Sequence, residues 1–446
     1  MPILPTRVVT LIESINKKIL DFFEKKGKSS NKSIVLFLFL FTATISAPML
    51  IGYQIDNDPN RSENKDVDIF RDRAQTILDG ELLYRDTERI TVTPPLINYL
   101  FVPVLLLGDS LLMWMAWFVF FLFLTSAVLF FVLDAYFDRR VAIAGSMIYS
   151  ASPFGQYTSV AMLQDDSIIV FFLALSLLFL TRKRWYLAAS TFGLGTMTKL
   201  FPAICAPLAF TSPEQWKTRF VVVAIGLSIG LAVSLPFLIL AYSEFMQFLE
   251  FYLFGTQPQS TNQSFTSFSK IEQRGMSFWR YVGETIIFIP SKLLHGIFVL
   301  VLFATWFGAL TRRLNVHAAF TLCILWIFIF YSKIHFGYHM MALLVLIPYA
   351  MHDSRKLWSL VAVSFLARIV HRAWRDNLFT DNDWAHLFFA AILWFYWIYW
   401  AKFVIKNQEY RRLEDKNSIQ RVLITSTWIA LLCLASSTQI GLSKVM

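Results

Sequence analysis

The amino-acid sequence predicts an all-α polytopic membrane protein with roughly 11–13 transmembrane or half-membrane helices, counted from apolar runs of spanning or half-spanning length. Three observations carry this. Of the 446 residues, 56% are hydrophobic and 16% charged, far less charge than a soluble domain exposes. Apolar runs close to the roughly 20 residues of a spanning helix recur along the chain. Lys and Arg gather in the short loops between those runs, which is how a membrane protein sets its orientation. The residue alternation of a transmembrane barrel is absent.

The same features exclude other classes. A net charge of +10 would suggest nucleic acid in a soluble protein, but here the basic residues sit in short loops, and no nucleic-acid partner is expected. Cys205, Cys323 and Cys433 lie in apolar runs without metal, redox or disulfide spacing. No Walker motif or G-x-G-x-x-G fingerprint is present, so nucleotide use is not supported.

Residues 1–33 carry apolar positions Val8, Leu11, Ile12, Ile15, Ile19 and Phe22 at helical spacing, with Lys17, Lys18, Lys25 and Lys26 mostly opposite. This is a basic amphipathic segment expected on the cytoplasmic face. No cleavable signal is evident, and the first span, from about Ile34, is expected to stay as an anchor. The first outer loop, 54–110, is the largest aqueous element. Its Phe70, Ala74, Ile77 and Leu78 predict a short helix lying on the membrane, and Pro94-Pro95 opens an apolar run too short to span. If that run lies along the surface, the basic loops at Arg139-Arg140 and "TRKRW" both face the cytoplasm, and "QDD" at 164–166 faces out.

The run 186–210 is interrupted by Gly193, Gly195, Lys199 and Pro202. Two half-spans meeting at Lys199 place Lys217 and Arg219 inside and Lys199 at the outer end, where a cavity can hydrate it. By alternation the remaining runs follow: 220–242, an outer loop 243–284, then 285–310, 316–331, 340–351, 357–370, 385–404 and 422–441. Residues 34–352 form the expected membrane module that carries the site, and 353–446 the C-terminal transmembrane helices. One outer face thereby gathers Asp66, Asp68, Asp165, Asp166, Lys199, Arg274, Arg280, Lys333, His335, His339 and His371.

Asp66 falls near a helix N-terminus, where the dipole favours the ionised carboxylate. Asp66 or Asp68 would equally serve as a plain N-cap. His335 and His339 are four apart, but Gly337 intervenes and no third ligand is evident, so no metal is expected there.

Three blocks then resemble the GT-C membrane glycosyltransferases, and most closely the members that use polyprenyl-phosphate sugars (families 87 and 39 and the GPI mannosyltransferases). They are "DVDIFRDRAQTILDGELLYRDTERITVTPPLINYLF", "QDDSIIVFFLALSLLFLTRKRWYLAASTFGLGTMTKLFPAICAPL" and "SKIHFGYHMMALLVLIP". The resemblance implies a GT-C-type fold whose first extracytoplasmic loop carries interfacial helices. It implies transfer of a sugar, mannose or another hexose, from a polyprenyl-phosphate carrier to an acceptor hydroxyl on the extracytoplasmic side, with inversion. Asp66 matches the family's catalytic acid and would be the general base, with Asp68 as the alternative. Lys199, Lys333, His335 and His339, with Arg274 and Arg280 behind them, are the candidates to stabilise the leaving phosphate. Asp165 or Asp166 would hold acceptor hydroxyls or place the base.

The expected partners are the lipid-linked donor, a glycan, glycolipid or glycoprotein acceptor, and membrane lipids. No cofactor is expected, and a divalent metal is left open. A cleft lined by Asp66, Asp165, Lys199 and His335 would separate this reading from a secondary transporter, whose cavity lies at the midplane. A non-catalytic carrier-binding protein of the same fold is the third alternative.

Overall fold

The computed structural model describes residues 6–55, 65–254, 274–376, 383–411, 413 and 415–444. Helix α1 (Thr6–Gly27) is amphipathic and buries Phe23. Arg140 reaches it through an ion pair to Glu24 at 3.2 Å. Helix α2 (Asn31–Ile55) is the first long apolar helix.

The first loop folds as α3 (Lys65–Leu78), α4 (Pro95–Tyr99) and α5 (Val102–Leu106). Pro94 and Pro95 start α4, because proline's fixed φ suits a first helical turn. The run after it thus forms two short helices rather than a span. Phe70 on α3 stacks on Phe101 with ring centroids 4.4 Å apart and also touches Trp114 and Phe118, so an aromatic cluster seats the loop on the bundle.

Helices α6 (Leu111–Leu133) and α7 (Arg139–Ala151) are antiparallel and joined by a short turn. Helix α7 stops at Ser152, whose side chain accepts from Gly155 N at 3.2 Å and restarts the chain as α8 (Pro153–Gln156). A π-helical turn, Tyr157–Ala161, follows. Then come α9 (Asp166–Thr181), α10 (Trp185–Thr196), α11 (Phe201–Cys205) and α12 (Pro207–Thr211). Pro202 and Pro207 begin the last two, which breaks the second leg into short pieces. Ser212 returns to the end where α10 began: its carbonyl accepts from Arg312 at 2.9 Å, and Arg184 and Ser212 line one cavity. The run 186–210 is therefore a hairpin that turns at Lys199.

Helices α13 (Trp216–Leu240) and α14 (Tyr242–Phe254) come next. The segment expected as an outer loop from 243 begins with the helix α14, and its residues 255–273 lie outside the described residues. A two-residue strand β1 (Arg274–Gly275), α15 (Phe278–Thr285), α16 (Ser291–Leu310) and α17 (Val316–Phe330) lead to β2 (Lys333–Ile334). Strands β1 and β2 pair in parallel, Arg274 opposite Lys333 and Gly275 opposite Ile334. Gly275 has φ +69, and a side chain there would strike the Ile334 carbonyl, so the pairing requires glycine. The chain closes with α18 (His339–Ala350), α19 (Ser354–Asp376), α20 (Asp383–Lys406) and α21 (Lys416–Leu442). Helix α19 is longer at both ends than the apolar run 357–370, because its charged residues stay helical beyond that run.

Six described helices are long and apolar enough to cross a membrane, and five shorter apolar stretches accompany them. Helices α17 and α18 are the buried centre, nearly every side chain enclosed. Helices α13 and α16 lie outside, with Leu227 and Leu300 70% and 68% exposed. An apolar surface of that extent is solvated by lipid tails, not water. The chain is an all-α polytopic integral membrane protein, its only described strand pairing being the β1–β2 bridge.

Candidate active site

Three distant segments meet at one end of the bundle. The first is the start of α3. Asp66 and Asp68 both lie in its first turn, yet their surroundings differ. Asp68 pairs with Arg71 at 2.9 Å, and Arg71 also binds Asp109 at 2.6 Å. Trp114 donates to Asp109 at 2.8 Å. Asp68 thus belongs to a chain of contacts that ties the loop to α6. Asp66 faces the other way and accepts a hydrogen bond from the Gln164 side chain.

The second segment is Gln164-Asp165-Asp166. Leu163 before it has φ +51, a left-handed conformation that a branched residue adopts only under constraint. The turn lets Gln164 N donate back to Thr158 O at 3.1 Å, while its side chain reaches Asp66. The third segment is the α10–α11 turn. Lys199 Nζ lies 3.1 Å from Asp165 and 3.0 Å from Asp166. Leu96 N donates to Met197 O at 2.9 Å, which docks the first loop onto this turn.

The Lys199 ammonium also lies 5.2 Å from the centre of the Tyr338 ring. Lys199 is 18% exposed, Asp165 9% and Asp166 6% in their side chains, so the three charges are largely withdrawn from water and must neutralise each other. Two carboxylates against one ammonium leave the cluster net negative before Asp66 is added. This corrects one sequence expectation: Lys199 is committed to the two carboxylates and is no free cation for a phosphate. Both Asp165 and Asp166 bind Lys199.

The segment 335–338 roofs the cluster. Gly337 packs directly on Asp166, and any side chain at Gly337 would overlap the carboxylate. His335 is half-buried and meets the Tyr338 ring edge-on at 5.2 Å. Lys333 is likewise half-buried, and the β1–β2 pairing sets the Arg274 backbone beside it.

His339 departs from expectation. It is 2% exposed, its Nδ1 contacts Phe336 O at 2.9 Å, and it stacks on Phe154 at 4.9 Å. A ring so enclosed packs the core and does not face a carrier phosphate. His371 is also buried, against Tyr157 and Phe336. Arg280 holds Glu284 at 2.8 Å and points toward the Gly275 carbonyl, so its charge is already partnered. Among the described residues no cluster of His, Cys, Asp and Glu has the makings of a metal site.

A space of about 1400 Å³ opens at the opposite end of the bundle. Over the carboxylates, Gly337 packs against Asp166. Gln164, Arg71, Asp109 and Gly337 were not singled out by sequence reasoning. Only Gln164 had a local signal, as the polar residue before an acidic pair.

A search of curated proteins finds no match. Among solved structures, the chain is similar to ArnT from Cupriavidus metallidurans bound to undecaprenyl phosphate, with a TM-score of 0.53 at 13% identity over 92% of this chain and 77% of that one. At that identity the likeness is one of fold, and the fold is GT-C-like. Residues 92–332, more than half of the chain, match the family model of glycosyltransferase family 87. The match takes in the carboxylate pair and Lys199 and ends just before the strand at Lys333, and on it the chain belongs to glycosyltransferase family 87.

Proposed function

We propose that this membrane glycosyltransferase moves a hexose from a polyprenyl-phosphate carrier to an acceptor hydroxyl, with inversion, and that Asp66 is the general base. The observation that carries the reading is the placement of Asp66: in the first turn of α3, oriented by Gln164, and beside the Asp165–Lys199–Asp166 cluster. The acceptor hydroxyl gives its proton to the Asp66 carboxylate while its oxygen attacks the anomeric carbon. The bond from that carbon to the phosphate oxygen breaks, and the polyprenyl phosphate leaves with the electron pair. Such a base typically contributes about 10²–10⁴-fold.

The net negative cluster suits hydroxyl groups, whose protons it can accept in hydrogen bonds. Phosphate stabilisation falls to Lys333 and His335 on the adjacent segment, with Arg274 next to them in register. The solved relative with bound undecaprenyl phosphate supports a polyprenyl-phosphate donor. The basic loops on the far side support an extracytoplasmic site and a cytoplasmic N-terminus.

The test is transfer from purified polyprenyl-phosphate sugars by the full chain in detergent. Asp66→Asn is expected to lose at least about 100-fold in kcat. Wild-type rates in Asp66→Asn would remove Asp66 as base, and a wild-type protein inert with every such donor would overturn the donor assignment.

A further inference from the structure

Helix α19 carries an arginine inside the apolar run 357–370. At 1.5 Å rise per residue, Arg368 lies about 21 Å along α19 from Ser354. It is at the end of the bundle that carries Asp66: it reaches Tyr157, and Thr158, the next residue, accepts from Gln164 N at 3.1 Å. The basic turns that orient the chain, at Arg139-Arg140 and Arg182, lie at the other end of α7 and α9. Membrane orientation therefore does not account for Arg368.

A long cation near a helix end ordinarily snorkels outward. Arg368 turns inward instead. Its guanidinium lies over the Tyr157 ring, 4.9 Å from the centroid, and Tyr157 is 7% exposed. Tyr53 on α2 is a second aromatic neighbour, and Lys444, just past α21, lies over the Tyr53 ring at 5.3 Å. Phe336, beside Gly337, packs against Tyr157 at 5.6 Å and against the buried His371 at 5.4 Å. Arg368 thus shares its supporting aromatics with the segment that packs on Asp166.

Its polar surroundings set it apart from other enclosed arginines. Arg71 and Arg280 hold carboxylates, and Arg219 and Arg312 donate to backbone carbonyls at 2.7 and 2.9 Å. Among the described residues, neither a carboxylate nor a hydrogen-bond acceptor meets the Arg368 guanidinium, and its charged neighbour is another cation, Arg372. An aromatic face attracts the charge but does not satisfy five N–H donors. A half-buried cation in that state is costly unless an anion joins it.

The rim is apolar. Ile51 on α2, Ile369 on α19 and Leu442 on α21 are exposed large side chains at the same helix ends, and such side chains face lipid tails. A cation within and apolar side chains outside match an amphiphile with its headgroup in and its chains out. Basic pockets between membrane helices hold lipid headgroups in this way. Arg372 disfavours a headgroup that brings its own ammonium.

We propose that Arg368 binds the phosphate of an anionic phospholipid, with its forked N–H groups on the phosphate oxygens, where α2, α19 and α21 end. Arginine recognises phosphate through such paired, charge-assisted hydrogen bonds. The site is separate from the donor phosphate position at Lys333 and His335, and it stands whether or not Asp66 is the base.

The experiment measures thermal stability of the purified full chain in nanodiscs of phosphatidylcholine with rising fractions of phosphatidylglycerol. Saturable stabilisation is expected. The fraction needed for half of it should rise at least about tenfold in Arg368→Gln, the worth of one hydrogen bond between charged groups, and stay unchanged in the control Lys183→Gln. No response to phosphatidylglycerol overturns the proposal, as does a wild-type response in Arg368→Gln or an equal loss in Lys183→Gln. Inorganic phosphate added to phosphatidylcholine nanodiscs should have no effect, and full stabilisation by it would overturn the lipid assignment in favour of a soluble anion. Displacement of the response by a short polyprenyl phosphate would overturn the separation from the donor site. Should Arg368→Gln not fold, Arg368→Lys keeps the charge without the planar fork, and wild-type half-saturation in that variant overturns the proposal equally.

Discussion

Gly337 lies directly against the Asp166 carboxylate, so closely that even a methyl group at Gly337 would overlap Asp166 Oδ2. The glycine is required for contact here, because its φ is not positive. It lets the segment after β2 close over two buried carboxylates. Gly337→Ala is expected to push this segment away, lowering kcat/KM by at least about tenfold and stability by roughly 1–3 kcal/mol, the usual cost of overpacking. Transfer assays and thermal melts of the variant check both.

Lys199 pairs with both Asp165 and Asp166 where little water reaches them. Removing one partner of a buried ion pair costs about 3–5 kcal/mol, because a charge is left uncompensated. Lys199→Met is expected to lose that much, and Lys199→Met with Asp166→Asn to regain part of it. Denaturation of the single and double variants in one detergent measures the difference. A single variant as stable as wild type would refute the coupling.

Asp68 and Asp66 are two residues apart but are expected to respond differently. Asp68→Asn loosens only the Arg71–Asp109–Trp114 tie and should keep at least half the wild-type kcat, with most of its effect on KM. Arg71→Met, which breaks the tie at its centre, should raise KM further. Steady-state kinetics of both, set beside Asp66→Asn, separate loop placement from chemistry.

Gly52 on α2 meets Gly441 on α21, and Gly441 in turn meets the Pro48 carbonyl, so the two backbones touch. Small residues allow such approach between membrane helices. Gly441→Leu is expected to force the helices apart and lower the melting temperature by several degrees, as size-exclusion after heating would show. The α13 residue Leu227, 70% exposed, serves as control: Leu227→Phe should leave the melting temperature unchanged.

Asp138 caps α7, accepting from Arg140 N at 2.9 Å. The Arg140 side chain hydrogen-bonds it and holds its carboxyl below the ordinary range. A depressed carboxylate pKa contributes stability above the unfolded value, and that stability is lost as pH falls through the folded value. Asp138→Ala should therefore cost about 1 kcal/mol near neutral pH. The gap to wild type should persist below the ordinary aspartate value of about 3.9 and close only in stronger acid. Melts across that range check the sign.

Much of this architecture is legible in single segments. The apolar runs, the basic turns and the interruption at Lys199-Pro202 each depend on a short stretch of chain, because the bilayer demands length and apolarity locally and proline acts on its own turn. The hairpin of α10 to α12 and the short helices after Pro94 follow from such signals. Asp165, Asp166 and Lys199 could also be named in advance, as charges bounding or interrupting apolar runs, and Asp66 through the resemblance of its loop.

Which charge faces which could not. Gln164 reaches Asp66 across 98 residues, and Lys199 reaches Asp165 across 34. No local pattern distinguishes Asp66 from Asp68; what does so is the direction α3 takes once Phe70 stacks on Phe101. His339 resembled a site residue by its spacing, and packing against Phe154 turned it into core. The β1–β2 bridge and the seat of Arg368 on Tyr157 likewise exist only when distant segments meet. Membrane insertion is decided by each segment's own transfer energy. The site is decided by side-chain packing and by the need to pair every buried charge, and only the tertiary structure satisfies those conditions together.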